Sequence, residues 1–347
     1  MHRSALLFGL LPLSALHAEN AFELRDGDRV AFLGDAFVER EQYEGWIEMA
    51  ATTRFPERSV SFRNLGWSAD TPAGDSRCGL SLLQAGHEPA GEGWRQLQNQ
   101  LATYRPTLLI TGYGMASSLP GGQTPEEFRR DFTRLLDHAA TLPGLRVWVF
   151  GAPPRFLREG ESDETPELRQ HRESLAAING VLRDIADQRR LPFVSLDGLA
   201  GKKGLSDNGI HLNGAGYQAA AREIEQQLGW PAGKWDKGDT AAALRRAILR
   251  KNEWFFHRSR PANMAYIFGF RKAEQGRNAG EIEAFDKLVQ EEEQRIAQMR
   301  GLSKVLPDPE RRTESKVAAN TTQPHPKFTA TRSPYGPRTR CCTSRPR

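Results

Sequence analysis

The chain has 347 residues with a formal net charge of +5, and its 38% hydrophobic and 26% charged shares suit an ordinary soluble fold of one large domain or two small ones. Three cysteines, Cys78, Cys341 and Cys342, are too few for a disulfide framework, and no Cys/His zinc spacing occurs. The positive balance does not imply a nucleic-acid partner, because from Gly301 onward ten Lys or Arg face three Asp or Glu, which leaves the rest of the chain at −2.

The first residues read as an export signal. A basic start at His2 and Arg3 precedes an apolar run from Ala5 to Leu16, and Leu16, His17 and Ala18 form a cleavage site. Residues 1–18 are therefore expected to be a signal peptide, and the protein to be secreted or periplasmic. The apolar run is too short to span a bilayer, and no other segment is long and apolar enough to be a membrane anchor.

Beyond the signal, short β-rich runs alternate with helix-like segments. The predicted strands are Arg29–Gly34, Ser59–Gly66, Thr107–Gly114, Arg146–Pro153 and Pro192–Asp197. The predicted helices are Glu41–Phe55, Trp94–Tyr104, Pro125–Leu142, Glu167–Arg189 and Gly216–Leu228. This alternation implies a parallel sheet covered on both faces, and the mostly apolar strands fit burial on both sides. In such sheets ligands bind beyond the carboxyl ends of the strands. Asp35 and Ala36 follow the first strand, at the start of a predicted loop. Gly66, Trp67 and Ser68 follow the second, and Tyr113, Gly114 and Met115 the third. His211 lies on the loop between the fifth strand and the last helix of the sheet domain. The convergence predicts a cleft with Asp35, Trp67, Ser68, Tyr113 and Gly114 as candidate ligand-binding residues.

From about Arg25 to Leu228, four segments of the chain resemble the signature blocks of the SGNH/GDSL hydrolase superfamily: FLGDAFVERE, NLGWSADT, GYGMASS and SDNGIHLN. The resemblance implies a three-layer α/β/α, flavodoxin-like sandwich with a five-stranded parallel sheet. It also implies carboxylic-ester hydrolysis, with deacylation of carbohydrates as one form of it. In that family the first block carries a serine nucleophile, a glycine N–H and an asparagine side chain hold the oxyanion, and a late histidine is the base. Here Ala36 stands at the nucleophile position and Ala116 at the asparagine position, while Gly66 and His211 match the glycine and the base. The family's orienting Asp usually lies three residues before the histidine. Asn208 has that spacing, and Asp207, one residue further back, has that chemistry.

Alanine offers neither a lone pair nor a proton, so serine-mediated hydrolysis is expected to be impaired. Two routes around that loss are a relocated hydroxyl from Ser68, Ser117 or Ser118 and a water activated by His211, with Asp35 or Asp70 assisting. The rival reading is a noncatalytic protein that keeps the cleft for a glycan or acyl ligand. A metal site from Asp35, Asp70 and His211 has no recognisable ligand spacing behind it, and no metal is assigned. No organic cofactor is implied, since no glycine-rich phosphate loop of the expected form occurs. Trp67 and Tyr113 read either as a ligand platform or as cover for the core. His87, His138 and His171 read as surface residues without a role.

After the sheet domain, taken as residues 25–230, a helical extension is expected over residues 231–300. Its first helix has Asp239 or Thr240 as N-cap and Pro261 beyond its end, and Ala279 to Arg300 reads as a second amphipathic helix. Trp254, Phe255, Phe256, Tyr266 and Phe268 are expected to pack this extension onto the main domain. Residues 301–347, rich in Pro, Thr, Ser and Arg, read as a disordered basic tail. The expected partner is a small molecule or glycan, with no nucleic acid. The oligomeric state is left open.

Overall fold

The computed structural model describes residues 22–80, 91–158, 160–162, 165–230, 235–262 and 264–302. The expected signal peptide, the basic tail beyond Leu302 and His87 lie outside the described residues, while Gly301 and Leu302, expected in the tail, close the last helix. Among the described residues, no helix is long and apolar enough to cross a membrane.

The expected α/β architecture is present. Strands β1 (Arg29–Gly34), β2 (Ser61–Asn64), β3 (Leu108–Gly112), β4 (Arg146–Phe150) and β5 (Phe193–Val194) form one all-parallel sheet in the order β2-β1-β3-β4-β5. The order reverses between β1 and β3, the kind of switch point at which open sheets form clefts. The helices between the strands are α1 (Ala36–Glu44), α2 (Trp46–Arg54), α3 (Glu92–Tyr104), α4 (Met115–Ser118), α5 (Pro125–Ala140) and α6 (Pro166–Arg189), and α7 (Gly214–Gln227) follows β5. They are followed by α8 (Asp239–Ser259), α9 (Met264–Ile267), α10 (Lys272–Gln275) and α11 (Ala279–Leu302).

Alternate residues of the central strands feed two cores, as the two-residue period of a strand requires. Val30, Phe32, Leu108 and Ile110 pack with Phe37, Ile47, Tyr217 and Ile224 of α1, α2 and α7. On the other face, Ala31, Leu33 and Leu109 pack with Leu97, Phe132 and Leu182 of α3, α5 and α6.

Two local predictions are corrected. The residues after β1 are not a loop, because Asp35 is the N-cap of α1 and Ala36 its first residue. The single helix expected over Glu41–Phe55 is two, broken at Gly45, whose φ of 67° caps α1 in the left-handed conformation that glycine adopts without strain. Glu41 Oε1 then accepts from the Ile47 and Glu48 N–H groups at 2.7 and 3.2 Å, capping the new helix from the turn before it.

The extension docks on the edge strand β2. Lys251 of α8, almost fully buried, donates to Glu48 Oε1 at 2.6 Å and to the Phe62 carbonyl at 3.2 Å, so an edge-strand carbonyl gains a partner. Burial pushes the Glu48 carboxyl up and the Lys251 ammonium down, both toward neutrality, and their mutual attraction opposes this. Of the aromatics expected at this seam, Phe255 is buried edge-on to Tyr104 with ring centroids 5.1 Å apart, and Trp254 meets Phe285 of α11. Phe268 is 42% exposed and departs from that expectation. Gly238, rather than Asp239 or Thr240, occupies the N-cap position of α8.

Candidate active site

Three glycines make room for the start of α1. A Cβ on Gly34 would lie 2.5 Å from Val38 Cγ2, one on Gly112 2.7 Å from the same atom, and one on Gly66 2.5 Å from the Glu39 nitrogen. Val38 can therefore sit directly over the ends of β1 and β3, which places Ala36 at the carboxyl edge of the sheet. Tyr217 of α7 holds the turn from the other side, donating its hydroxyl to the Phe37 carbonyl at 2.6 Å while the two rings stack.

Asp35 is buried, and its carboxylate ties the first block to the third. One oxygen accepts from the Phe37 N–H at 3.2 Å, and the other from the Gly114 and Ala116 N–H groups at 3.1 Å each. Burial pushes its pKa up from 3.8 to about 6, against those backbone donors, with repulsion from Asp70 adding to the rise. The residue expected to meet a ligand therefore serves the frame.

The loop after β2 is equally committed. Asn64 donates to the Val38 carbonyl at 2.7 Å and accepts from the Gly66 N–H at 2.9 Å. The amide that the family resemblance assigns to the oxyanion is thus engaged within its own loop. Trp67 lies with the Arg260 guanidinium 3.9 Å from its ring centroid and the Arg77 guanidinium 5.6 Å from it. Arg260 also bonds the Gly66 carbonyl and Glu39, so a residue of the extension reaches a site loop. Neither contact was legible in the sequence, since Arg260 lies 194 residues from Gly66. Ser68 is exposed and bonds Glu39. Beside it, exposed Ala69 has a φ of 58°, left-handed for an L-residue. Its N–H has no hydrogen-bond partner among the described residues. Beneath the loop, Asp70 and Arg77 form a fully buried ion pair at 2.8 Å. Tyr113, also buried, points its hydroxyl at Asp70 across 3.4 Å, so it belongs to this network and is closed to a ligand.

In the third block Gly114 gives its N–H to Asp35, Met115 is buried and Ala116 is half-buried. Two hydroxyls weighed as replacement nucleophiles are engaged elsewhere. Ser117 donates to Gln123 at 2.9 Å. Ser118 donates to the Met115 carbonyl at 2.9 Å and lies 3.1 Å from His171 Nε2. Both Ser118 and His171 are buried, so His171 is not the surface residue expected, and its contact joins α4 to α6. His138 is half-buried against Trp94.

The final block is a closed loop stapled at several points. Ser206 bridges to Leu212 and donates its hydroxyl to the His211 carbonyl at 2.6 Å. Asn213 caps α7 and donates to Asp207 Oδ1 at 2.9 Å. Asn208 Oδ1 accepts two backbone N–H groups, Ile210 at 3.0 Å and His211 at 2.8 Å, and its Nδ2 lies 2.9 Å from His211 Nδ1. The structure therefore brings Asn208 to the imidazole and turns Asp207 toward Asn213. His211 is half-buried, and burial lowers its pKa, helped by the charge of Arg40, one turn beyond Ala36 on α1. A groove of about 550 Å³ lies apart from these residues and is lined by Thr71, Gly122 and Gln123 of the loops and by Trp94, Arg130 and Arg134 of α3 and α5, among others.

Comparison with known proteins places these blocks in context. A family model described as GDSL-like Lipase/Acylhydrolase family matches residues 32–219. Among solved structures the chain is similar to an acetylxylan esterase from Geobacillus stearothermophilus, at 14% identity and a TM-score of 0.46, over 60% of this chain and 96% of that one. It is also similar to a carbohydrate acetylesterase family member from Sinorhizobium meliloti, at 18% identity and a TM-score of 0.42, over 58% and 99%. A gut microbial diltiazem-metabolizing enzyme matches at 18% identity and a TM-score of 0.45, over 62% of this chain, which spans 50% of that enzyme's length. No curated protein matches the chain.

Proposed function

Because the chain belongs to the GDSL-like lipase/acylhydrolase family, we propose that it is an exported, ester-recognising member that binds an acyl or acylated-glycan ligand in its cleft without serine-mediated turnover. The observation that carries this reading is the pairing of two losses at the triad positions. The nucleophile position is a methyl group, Ala36, only 7% exposed at the first residue of α1. His211 is partnered by an amide and not by a carboxylate. A serine route needs a hydroxyl, a base to take its proton and an acid to orient that base. Two of the three are missing, and Ala116 removes the side-chain donor as well. Loss of the nucleophile alone costs on the order of 10⁶ in turnover in a well-studied serine protease.

The frame is intact despite this. Asp35, Asn64, Asp70 and Arg77 tie the loops together at the carboxyl ends of the strands. The second reading is residual carboxylic-ester hydrolysis by an activated water, which family membership itself favours. Purified full-length protein assayed on p-nitrophenyl acetate and on acetylated xylose, beside His211→Ala, separates the two. We expect no hydrolysis that depends on His211, together with saturable binding of the acetylated sugar. Turnover abolished by His211→Ala would overturn the binding reading in favour of hydrolysis.

A further inference from the structure

The orientation of the Asn208 amide follows from its neighbours. Its oxygen accepts the N–H groups of Ile210 and His211 at 3.0 and 2.8 Å. Reversing the amide would set its NH₂ against two backbone donors and forfeit both bonds, so the NH₂ end faces the histidine. An amide NH₂ only donates. His211 Nδ1, 2.9 Å away, must then accept, which requires its lone pair to be free. In a neutral imidazole the proton must consequently reside on Nε2. The imidazolium form would place a second N–H against the amide and is disfavoured by the same contact.

We propose that Asn208 locks His211 in the Nε2–H tautomer, so that the residue at the family's general-base position donates a hydrogen bond to the ligand and cannot accept a proton from it. A general base requires the opposite arrangement. An orienting carboxylate accepts from Nδ1–H and leaves the Nε2 lone pair free to take a proton. An amide oxygen could serve the same purpose, but here that oxygen is occupied by the two backbone donors. Nε2 has no hydrogen-bond partner among the described residues. The complementary ligand group is an oxygen acceptor, either an ester carbonyl or a carboxylate. Asn208 is in this sense a positioning residue that sets what His211 can do. The ligand assignment rests on the binding reading given above, whereas the tautomer does not.

Long-range ¹H–¹⁵N correlation spectra of the labelled full-length chain at pH 7.5 report the tautomer directly. We expect a protonated Nε2 and a bare Nδ1 on His211. Asn208→Asp, which keeps the two backbone bonds and offers an acceptor to Nδ1, should move the proton to Nδ1, and Asn208→Ala should leave a mixture. A purely structural role for Asn208 would leave the ring resonances of all three proteins in the same tautomer. Activity gives a second measurement. Ala36→Ser alone should stay within about tenfold of the parent on p-nitrophenyl acetate, because Nε2–H cannot take the serine proton. Adding Asn208→Asp should raise the rate by on the order of 10²–10⁴, the usual worth of a positioned base. A wild-type Nδ1–H tautomer, or an Ala36→Ser variant as active as the double variant, would overturn the lock. Hydrolysis by the wild-type chain that depends on His211 would instead count against the binding reading, and the NMR result would stand apart from it.

Discussion

Two polar regions of this molecule bury charge, and they differ in what surrounds it. At the seam between α8 and β2, Lys251 and Asn252 both donate to Glu48, and Lys251 also donates to the Phe62 carbonyl, beside the apolar core. At the carboxyl ends of the strands, Asp35, Asn64, Asp70 and Arg77 are bonded just as fully. There, however, the residues that follow them in the site loops include Ala36, next to Asp35, and Ala116, whose N–H bonds Asp35. Both regions retain the buried groups whose removal would leave donors or charges without partners, because that loss is expensive for folding. Neither alanine strands such a group. Packing thus maintains the frame of the cleft, while nothing in the packing demands a nucleophile.

The comparison predicts that catalytic groups can be introduced at the site without disturbing the fold, and this carries the largest expected effect. On the binding reading proposed above, Ala36→Ser, Ala116→Asn and Asn208→Asp together supply a nucleophile, an oxyanion donor and an orienting acid to the existing frame. The triple variant should hydrolyse p-nitrophenyl acetate at least about 10³-fold faster than the parent, since an oxyanion donor alone is worth about 10²–10³. Its melting temperature should stay within a few degrees. A well-folded triple variant with no gain would show that the frame itself has drifted from a working geometry.

The seam should behave in the opposite way. Lys251→Ala leaves the buried Glu48 carboxylate without its cation, with only the Asn252 amide still donating to it, and removes a donor from the Phe62 carbonyl, for an expected loss of roughly 3–5 kcal/mol in urea unfolding. Replacing both partners, as in Lys251→Met with Glu48→Leu, should recover much of that loss. A single variant costing less than about 1 kcal/mol would mean that the extension is not held by this pair.

Asp35 joins the two regions conceptually, being a frame residue inside the cleft, and its titration gives the next effect. Its folded pKa of about 6 lies above its ordinary 3.8. A raised carboxyl binds a proton more tightly in the folded state, so its contribution to stability is complete below about pH 4 and is lost as pH rises through 6. A rise from 3.8 to about 6 corresponds to roughly 2–3 kcal/mol. The stability of the wild type relative to Asp35→Asn should therefore fall by about that amount between pH 4 and pH 7, with contributions from other carboxyls cancelling in the difference. A flat difference across that range would mean that Asp35 is ionised throughout and better solvated than its burial indicates.

Legibility in the sequence followed the same division. The five strands and their alternation with helices could be read because apolar runs and helical periods are local signals. Ala36, Ala116 and His211 stood out in the sequence because short motifs carry them. The break at Gly45 was missed, since one glycine inside a helical pattern does not announce a left-handed cap. The choice between Asp207 and Asn208 stayed open because spacing and chemistry pointed to different residues. Only the loop's hydrogen bonds, with Asp207 on Asn213 and Asn208 on His211, separate them. Arg260 on Gly66 and Trp67 is a long-range contact with no local signature.

Ala69 gives the smallest effect and the most local one. It sits between Ser68 and Asp70 with a φ of 58°, and its carbonyl accepts from the Ser76 hydroxyl at 2.7 Å, which helps to fix the turn. The left-handed conformation costs an L-residue roughly 1–2 kcal/mol, whereas glycine adopts it freely but loses about 0.5–1 kcal/mol more on ordering. Ala69→Gly should therefore stabilise the protein by up to about 1 kcal/mol, read as a higher urea midpoint at unchanged slope. The Asp70–Arg77 pair below the turn anchors it through bonds to Ser76 and Leu65, so the substitution should not move the loop. A loss of stability would mean that the Ala69 methyl makes a contact worth more than the strain it carries. In that case the turn would be shaped by packing, as the seam is, and would not be one of the places where the cleft stores strain.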